Sequence, residues 1–148
     1  MAEPGSDLLR LDEQTCFALY SASHALNRAY APLLEPLELT YPQYLVMLVL
    51  WERDALLVKE IGQRLLLDTG TLTPLLKRME AAGLLSRTRD PADERQVRIA
   101  LTEGGRALRD KAQGIPPRVA CAMDLPQPEL MMLREALLRL REKLVRVD

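Results

Sequence analysis

The chain has 148 residues, 48% hydrophobic and 28% charged, with a formal net charge of −1. That length gives one domain with a real buried core, and no apolar run approaches the ~18 residues of a membrane span. The balanced charge argues against a protein that coats nucleic acid indiscriminately, and one histidine (His24) with two distant cysteines (Cys16, Cys121) makes a zinc site unexpected.

Met1 to Ser6 reads as a loose tail, and the polar, acidic start carries no basic-then-apolar secretion signal. A cytoplasmic protein with reduced thiols is the expectation. Charge is unevenly spread: residues 1–60 hold four Lys/Arg against nine Asp/Glu, whereas 61–98 hold seven against five. Specific nucleic-acid binding needs such a local basic surface, not a basic whole.

From Asp7, a candidate cap, to Tyr30 the pattern is helical, and Pro32 and Pro36 are expected to end it. Thr40 or Tyr41, just before Pro42, starts a second helix whose Tyr44–Trp51 stretch is apolar almost all round and should be buried. Asp54 to Leu57 leads into a short amphipathic helix with Val58, Ile61 and Leu65 on one face. Leu72, Leu75, Leu76 and Met79 then form a second stripe, leaving Thr69, Thr73, Lys77 and Glu80 outward, and Gly83 is the expected stop. Pro74 strains this helix: either it begins nearer Thr73, or Gly70 absorbs the distortion. Leu84–Thr88 and Gln96–Leu101 read as a hairpin around an Arg89–Arg95 turn. Two helices and a hairpin in this order form a winged helix-turn-helix over residues 41–101, able to dock its second helix in a DNA major groove. The residues placed near bases and phosphates are Thr69, Thr71, Thr73, Lys77 and Arg78 on the helix and Arg89, Asp93 and Arg95 on the wing.

Thr102 caps a helix from Glu103 to about Gln113. Gly114, Pro116, Pro117, Pro126 and Pro128 then mark a broken, pliable segment around Cys121. Pro128–Val145 repeats Leu130, Leu133, Leu137, Leu140 and Leu144 along one helical face. That stripe and the N-terminal helix are expected to form a homodimer seam, residues 7–40 and 102–148, within a single domain spanning 1–148. A two-fold pair of reading heads would span half-sites ~34–36 Å apart.

The helix Leu72-Thr-Pro-Leu-Leu-Lys-Arg-Met-Glu-Ala-Ala-Gly-Leu84, the wing Arg87-Thr-Arg-Asp-Pro-Ala-Asp-Glu-Arg95 and Leu101-Thr-Glu-Gly-Gly105 resemble the MarR family of dimeric repressors. The resemblance implies a mainly α protein with a small β-hairpin wing, a double-stranded operator as partner, and no cofactor. A narrower resemblance lies in Leu11-Asp-Glu-Gln-Thr-Cys-Phe-Ala-Leu-Tyr-Ser-Ala22 and Leu39-Thr-Tyr-Pro-Gln-Tyr-Leu-Val-Met-Leu-Val-Leu-Trp-Glu52. These are similar to the organic-hydroperoxide-sensing (OhrR) branch. That likeness implies Cys16 as the peroxide-reactive thiol, Tyr30 and Tyr41 of the partner subunit as its hydrogen-bond donors, Tyr20 in the pocket, and Cys121 as the resolving thiol. Phe17 and Met47 would complete the pocket. Departures are small: Thr15 stands where an apolar residue is usual, and Gly70 where a small non-glycine is common.

Residue chemistry alone leaves alternatives open. Free cysteine often behaves as a small buried apolar residue, but Tyr20 lies one turn from Cys16, and a phenol donor favours the thiolate. The rival readings are a repressor released by a small aromatic or acidic ligand, without redox chemistry, and a thiol peroxidase. A peroxidase gives no reason for a recognition helix, so a non-enzyme is expected.

Overall fold

The computed structural model describes residues 7–145, which form two compact units divided between Gln113 and Gly114. The first contains helices α1 (Thr15–Leu34), α2 (Tyr41–Glu52), α3 (Val58–Leu65), α4 (Thr69–Ala81) and α5 (Glu103–Ala112), with strands β1 (Leu56–Leu57), β2 (Leu85–Arg89) and β3 (Val97–Leu101). The second contains α6 (Ile115–Met123) and α7 (Gln127–Val145). Among the described residues, no helix is long and apolar enough to cross a membrane. This is the mainly helical winged helix-turn-helix expected from the periodicities.

Helix α1 differs from expectation at both ends. Asp7 accepts the Leu9 N–H at 3.1 Å in a preceding turn, and the helix starts only at Thr15. The Gln14 amide is spent on the carbonyls of Leu8 (2.7 Å) and Arg10 (2.9 Å), so no side chain caps the helix. Pro32 does not stop α1, because it falls in the last turn, where a lost N–H costs one bond and little follows to be displaced. A 3-10 turn, Glu35–Leu37, then reverses the chain. Helix α2 opens with a reciprocal capping box: Thr40 Oγ1 accepts from the Gln43 N–H, and Gln43 Oε1 from the Thr40 N–H. Tyr44, Val46, Met47, Val49 and Leu50 are buried, and only Leu48 of this apolar run is clearly exposed.

Around α2 the core gathers Leu34, Ile61, Leu72, Leu76, Met79, Leu85 and Ile99, all essentially sealed from solvent. Each contributes about 1.5–3 kcal/mol of transfer free energy. Helix α4 starts at Thr69, not near Thr73, because Asp68 Oδ1 caps it by accepting the Thr71 N–H at 2.7 Å. Pro74 therefore lies in its second turn. Both Pro74 and Gly70 are exposed, so the Gly70 carbonyl that the ring deprives of a donor can be hydrated. At the other end Gly83, at φ 79°, donates to Glu80 O and Leu84 to Met79 O, the paired bonds of a glycine-terminated helix.

The sheet is antiparallel in the order β1-β3-β2, with Leu56 and Arg87 both opposite Ile99 and Leu85 opposite Leu101. Two hydrogen-bonded corners fix the wing's root. Asp54 Oδ1 accepts the Leu101 N–H at 2.9 Å, and Trp51 Nε1 donates to Gly105 O at 2.9 Å. At Gly105 a Cβ would collide with the Leu84 carbonyl, so only glycine lets α5 start this close to β2.

In the second unit the chain is interrupted at 124–126, where Pro126 precedes α7, but Pro116 and Pro117 do not break it. Pro116 and Pro117 occupy the first turn of α6, whose N–H groups have no helical partner anyway. Cys121 consequently sits on a regular helix rather than in a pliable loop. No residue of α7 is buried within the described chain.

Candidate nucleic-acid interface and thiol centre

Helix α3 ends in Leu66, in the left-handed region at φ 57°, which turns the chain within three residues into α4. This presents Thr69, Thr71, Lys77 and Arg78 on the exposed side of α4, with Thr73 half-buried. Thr71 also serves the cap: its N–H, then its hydroxyl, hold the Asp68 carboxyl below its ordinary range.

The wing is organised by its own carboxylates. Asp93 takes Arg95 Nε at 3.0 Å on Oδ1 and Nη2 at 3.1 Å on Oδ2, and also accepts the Arg95 N–H. The paired guanidinium lowers the Asp93 pKa and is itself raised in return. Arg89 Nη1 donates to Glu94 O at 2.9 Å, closing the tip. At the base, Arg98 donates from Nη2 (3.1 Å) and Nε (3.3 Å) to the buried Asp90 and from Nη1 to Ala55 O at 2.6 Å. Asp93 thus acts as an internal brace that aims Arg95.

Between α4 and the wing lies a groove of about 280 Å³ lined by Lys59, Thr69, Thr73, Arg87, Arg95 and Gln96, among others. It brings Thr69, Thr73 and Arg95, three of the residues expected at DNA, against two that sequence reasoning passed over. Lys59 stands in the first turn of α3; Arg87 lies on β2, its N–H bound by Glu80 Oε2 at 2.8 Å. A signal for Arg87 existed, since it shares a strand face with Leu85 and Arg89, but its distance to α4 depends on the sheet.

The thiol centre is less assembled within one chain. Cys16 is exposed on the first turn of α1, with Phe17 exposed beside it and Tyr20 exposed one turn on, its ring edge-on to His24 at 4.4 Å. Tyr30 and Tyr41 pair at 4.6 Å between centroids, with Tyr44 at 5.8 and 6.3 Å. Burial, then the neighbouring Tyr41 and Tyr44, push the Tyr30 phenol up to about 12, and burial raises Tyr41 and Tyr44 as well. All three stay protonated donors at neutral pH. Cys16 and Tyr30 are on the same helix, roughly 21 Å apart along its axis at about 1.5 Å per residue. The structure therefore brings Cys16 together with Tyr20 but not with Tyr30 or Tyr41 of its own chain.

Met47, expected in the pocket, is fully buried in the α2 core. A cleft of about 830 Å³ does open where α1 meets α2, lined by Asn27, Ala31, Glu35, Thr40 and Tyr41, among others. Of the expected pocket residues, only Tyr41 borders it. Cys121 is exposed near the end of α6, in the second unit. No group of three or more His, Cys, Asp or Glu among the described residues could hold a metal ion.

Comparison with known proteins agrees with this architecture. A family model described as transcriptional regulator SarA/Rot matches residues 28–112. The chain is 52% identical to the HTH-type transcriptional regulator TtmR of Methylorubrum extorquens, over 97% of its own length and 74% of that protein. It is 47% identical to the organic hydroperoxide resistance transcriptional regulator of Bacillus subtilis, over 93% and 94% of the two chains. Among solved structures, reduced AbfR bound to DNA, a Staphylococcus epidermidis protein, is 34% identical with a TM-score of 0.77, covering 93% of this chain and 96% of that one. AbfR has also been solved in a disulfide-formed state, with a TM-score of 0.64 at 36% identity, covering 89% and 93%. With a winged helix-turn-helix in place and relatives this similar along nearly the whole sequence, the chain belongs to the MarR family of DNA-binding transcriptional regulators.

Proposed function

We propose that this regulator is a homodimeric, cytoplasmic repressor that senses organic hydroperoxides through Cys16 and releases its operator on oxidation. The observation that carries this reading is the separation on α1. An exposed Cys16 stands at the amino end of the helix, and a Tyr30–Tyr41 pair of protonated donors stands about 21 Å away at the other. Antiparallel pairing of two such chains brings the thiol of one to the phenols of the other. Exposed apolar surface supports that pairing: Leu8, Leu9, Leu11, Phe17 and Leu19 around the start of α1, and Leu133, Leu137 and Leu144 along α7, all face outward. In this reading the two compact units work as one MarR-type domain, with residues 7–40 and 102–148 forming the seam.

The chemistry is nucleophilic. Cys16 thiolate attacks a peroxide oxygen, an S–O bond forms as the O–O bond breaks, and the departing alkoxide takes a proton to become an alcohol. Sulfur is oxidised by two electrons and the peroxide is reduced. A phenol of the partner's Tyr30–Tyr41 pair stabilises the thiolate beforehand. The Cys121 thiol of the partner subunit then attacks the sulfenic sulfur, forming an intersubunit disulfide and expelling water. Bonding requires the two Cα atoms within about 7 Å, and because Cys121 lies on a regular helix, α6 moves as a body if it moves at all. That motion respaces the reading heads, in which Thr69, Thr71, Thr73, Lys77 and Arg78 face the major groove and Arg89 and Arg95 the wing contacts, with Asp93 bracing Arg95.

The hydroperoxide resistance regulator of Bacillus subtilis and the disulfide form of AbfR support this reading by their descriptions. The test is non-reducing electrophoresis after one equivalent of an organic hydroperoxide. A reducible dimer-mass band, absent from Cys16→Ser and Cys121→Ser, is expected; a sulfenic acid on Cys16 without a crosslink would remove Cys121 from the scheme. The 830 Å³ cleft at Tyr41, which excludes Cys16, favours one second reading, release by a small aromatic or acidic ligand. Induction by such a ligand in Cys16→Ser would establish it.

A further inference from the structure

The groove between α4 and the wing carries three cations, Lys59, Arg87 and Arg95, and no carboxylate among the described residues that line it. The Asp93 carboxylate close by is occupied, held by Arg95. Arg87 is the unusual member: its Nε is sealed from solvent and has no hydrogen-bond partner, the one such side-chain atom among the described residues. A buried guanidinium N–H without an acceptor costs about 1–3 kcal/mol, so the Arg87 head group gains from a reorientation that brings its donors to an acceptor arriving from outside. The groove around it offers the hydroxyls of Thr69 and Thr73 and the amide of Gln96, a set suited to an oxyanion with several lone pairs.

Geometry identifies the anion, given the DNA-binding reading of α4 and the wing on which this inference rests. A helix in the major groove and a wing in the adjacent minor groove must straddle the sugar-phosphate strand that divides the two. The cleft between α4 and the wing is where that strand passes. We infer that the groove is a phosphodiester cleft, in which Arg87 and Lys59 clamp the DNA strand between the recognition helix and the wing as sequence-independent anchors. Phosphate contacts of this kind set register, while bases are read elsewhere. Arg87 keeps its place without DNA because its main-chain N–H is bound to Glu80, so the side chain can be altered without undoing β2.

The experiment uses the reduced full chain and two duplexes of equal length, one selected by the wild type from a random pool and one scrambled. Affinity is followed by fluorescence anisotropy across a salt series. Arg87→Gln should flatten the slope of log affinity against log salt by about 0.9, one phosphate's worth, on both duplexes, leaving their affinity ratio unchanged. Arg87→Lys, which keeps the charge, should hold the wild-type slope. A methylphosphonate scan of the selected duplex should find one linkage whose neutralisation weakens the wild type but not Arg87→Gln. An unaltered slope in Arg87→Gln overturns the clamp, as does a loss confined to the selected duplex, which would make Arg87 a base reader. Wild type lacking salt-dependent affinity for any duplex would instead overturn the DNA-binding reading of the site, and the clamp with it.

Discussion

Replacing Arg98 by leucine removes the guanidinium that joins the wing's root to the loop before β1. Three hydrogen bonds go: two to Asp90 Oδ1, at 3.1 and 3.3 Å, and one to Ala55 O at 2.6 Å. Asp90 is left with a carboxylate whose side chain is only 10% exposed. Breaking a fully buried pair costs about 3–5 kcal/mol, whereas an exposed pair contributes about 0–1. The Arg98 side chain is 37% exposed, so water replaces part of what is lost, and the expected cost is about 2–3 kcal/mol. With a urea slope of about 2 kcal/mol per molar, the midpoint falls by about 1 M. The single tryptophan, Trp51, whose indole binds Gly105 O beside the wing, is the natural fluorescence probe. Protein concentration must be held fixed, since the apparent stability of the proposed dimer depends on it. Asp90→Asn in the Arg98→Leu background should recover most of the loss, because it removes the stranded charge. A single-variant cost under about 0.5 kcal/mol, or a double variant as unstable as the sum of the singles, would refute the coupling.

Gly70→Ala should stabilise the protein by about 0.4–1 kcal/mol in the same assay, since a Cβ there meets only Asp68 Oδ1 at 3.4 Å and alanine has less unfolded-chain entropy to lose than glycine. Tyrosinate absorbance should show Tyr30 ionising at about pH 12. Because the folded-state pKa of this phenol lies above its ordinary value of 10.0, its contribution to stability is complete below pH 10 and is lost as pH rises towards 12; early ionisation would mean the pair is open to water. Tyr30→Phe or Tyr41→Phe should slow stopped-flow oxidation of Cys16, and unaltered rates would reject their role as donors.

The reading head was legible because its signals are local. Ile61 and the Leu72-Leu75-Leu76-Met79 stripe fix two buried faces by period alone, and Gly83 and Thr102 mark ends through backbone chemistry. Strand β1 escaped notice because two residues carry no alternation; it exists only through its pairing with β3. Pro116 and Pro117 read as a break because a proline does so until the helix start is known, and at the first turn it is compatible with the helix, whereas the break at Pro126 is real. At Met47 the limit is related: in a helix apolar on every side, sequence does not separate the face that meets the core from one that meets a pocket. Lys59 and Arg87 were invisible as a pair because only the tertiary fold sets them on one groove.

Operator release under oxidation tests the central claim most directly. Anisotropy of a labelled operator duplex held by reduced protein should fall on addition of one organic hydroperoxide per subunit and recover with a dithiol, while Cys16→Ser stays bound throughout. Release of Cys16→Ser by the same peroxide, or wild type that stays bound after its Cys16 is fully oxidised, would contradict the account.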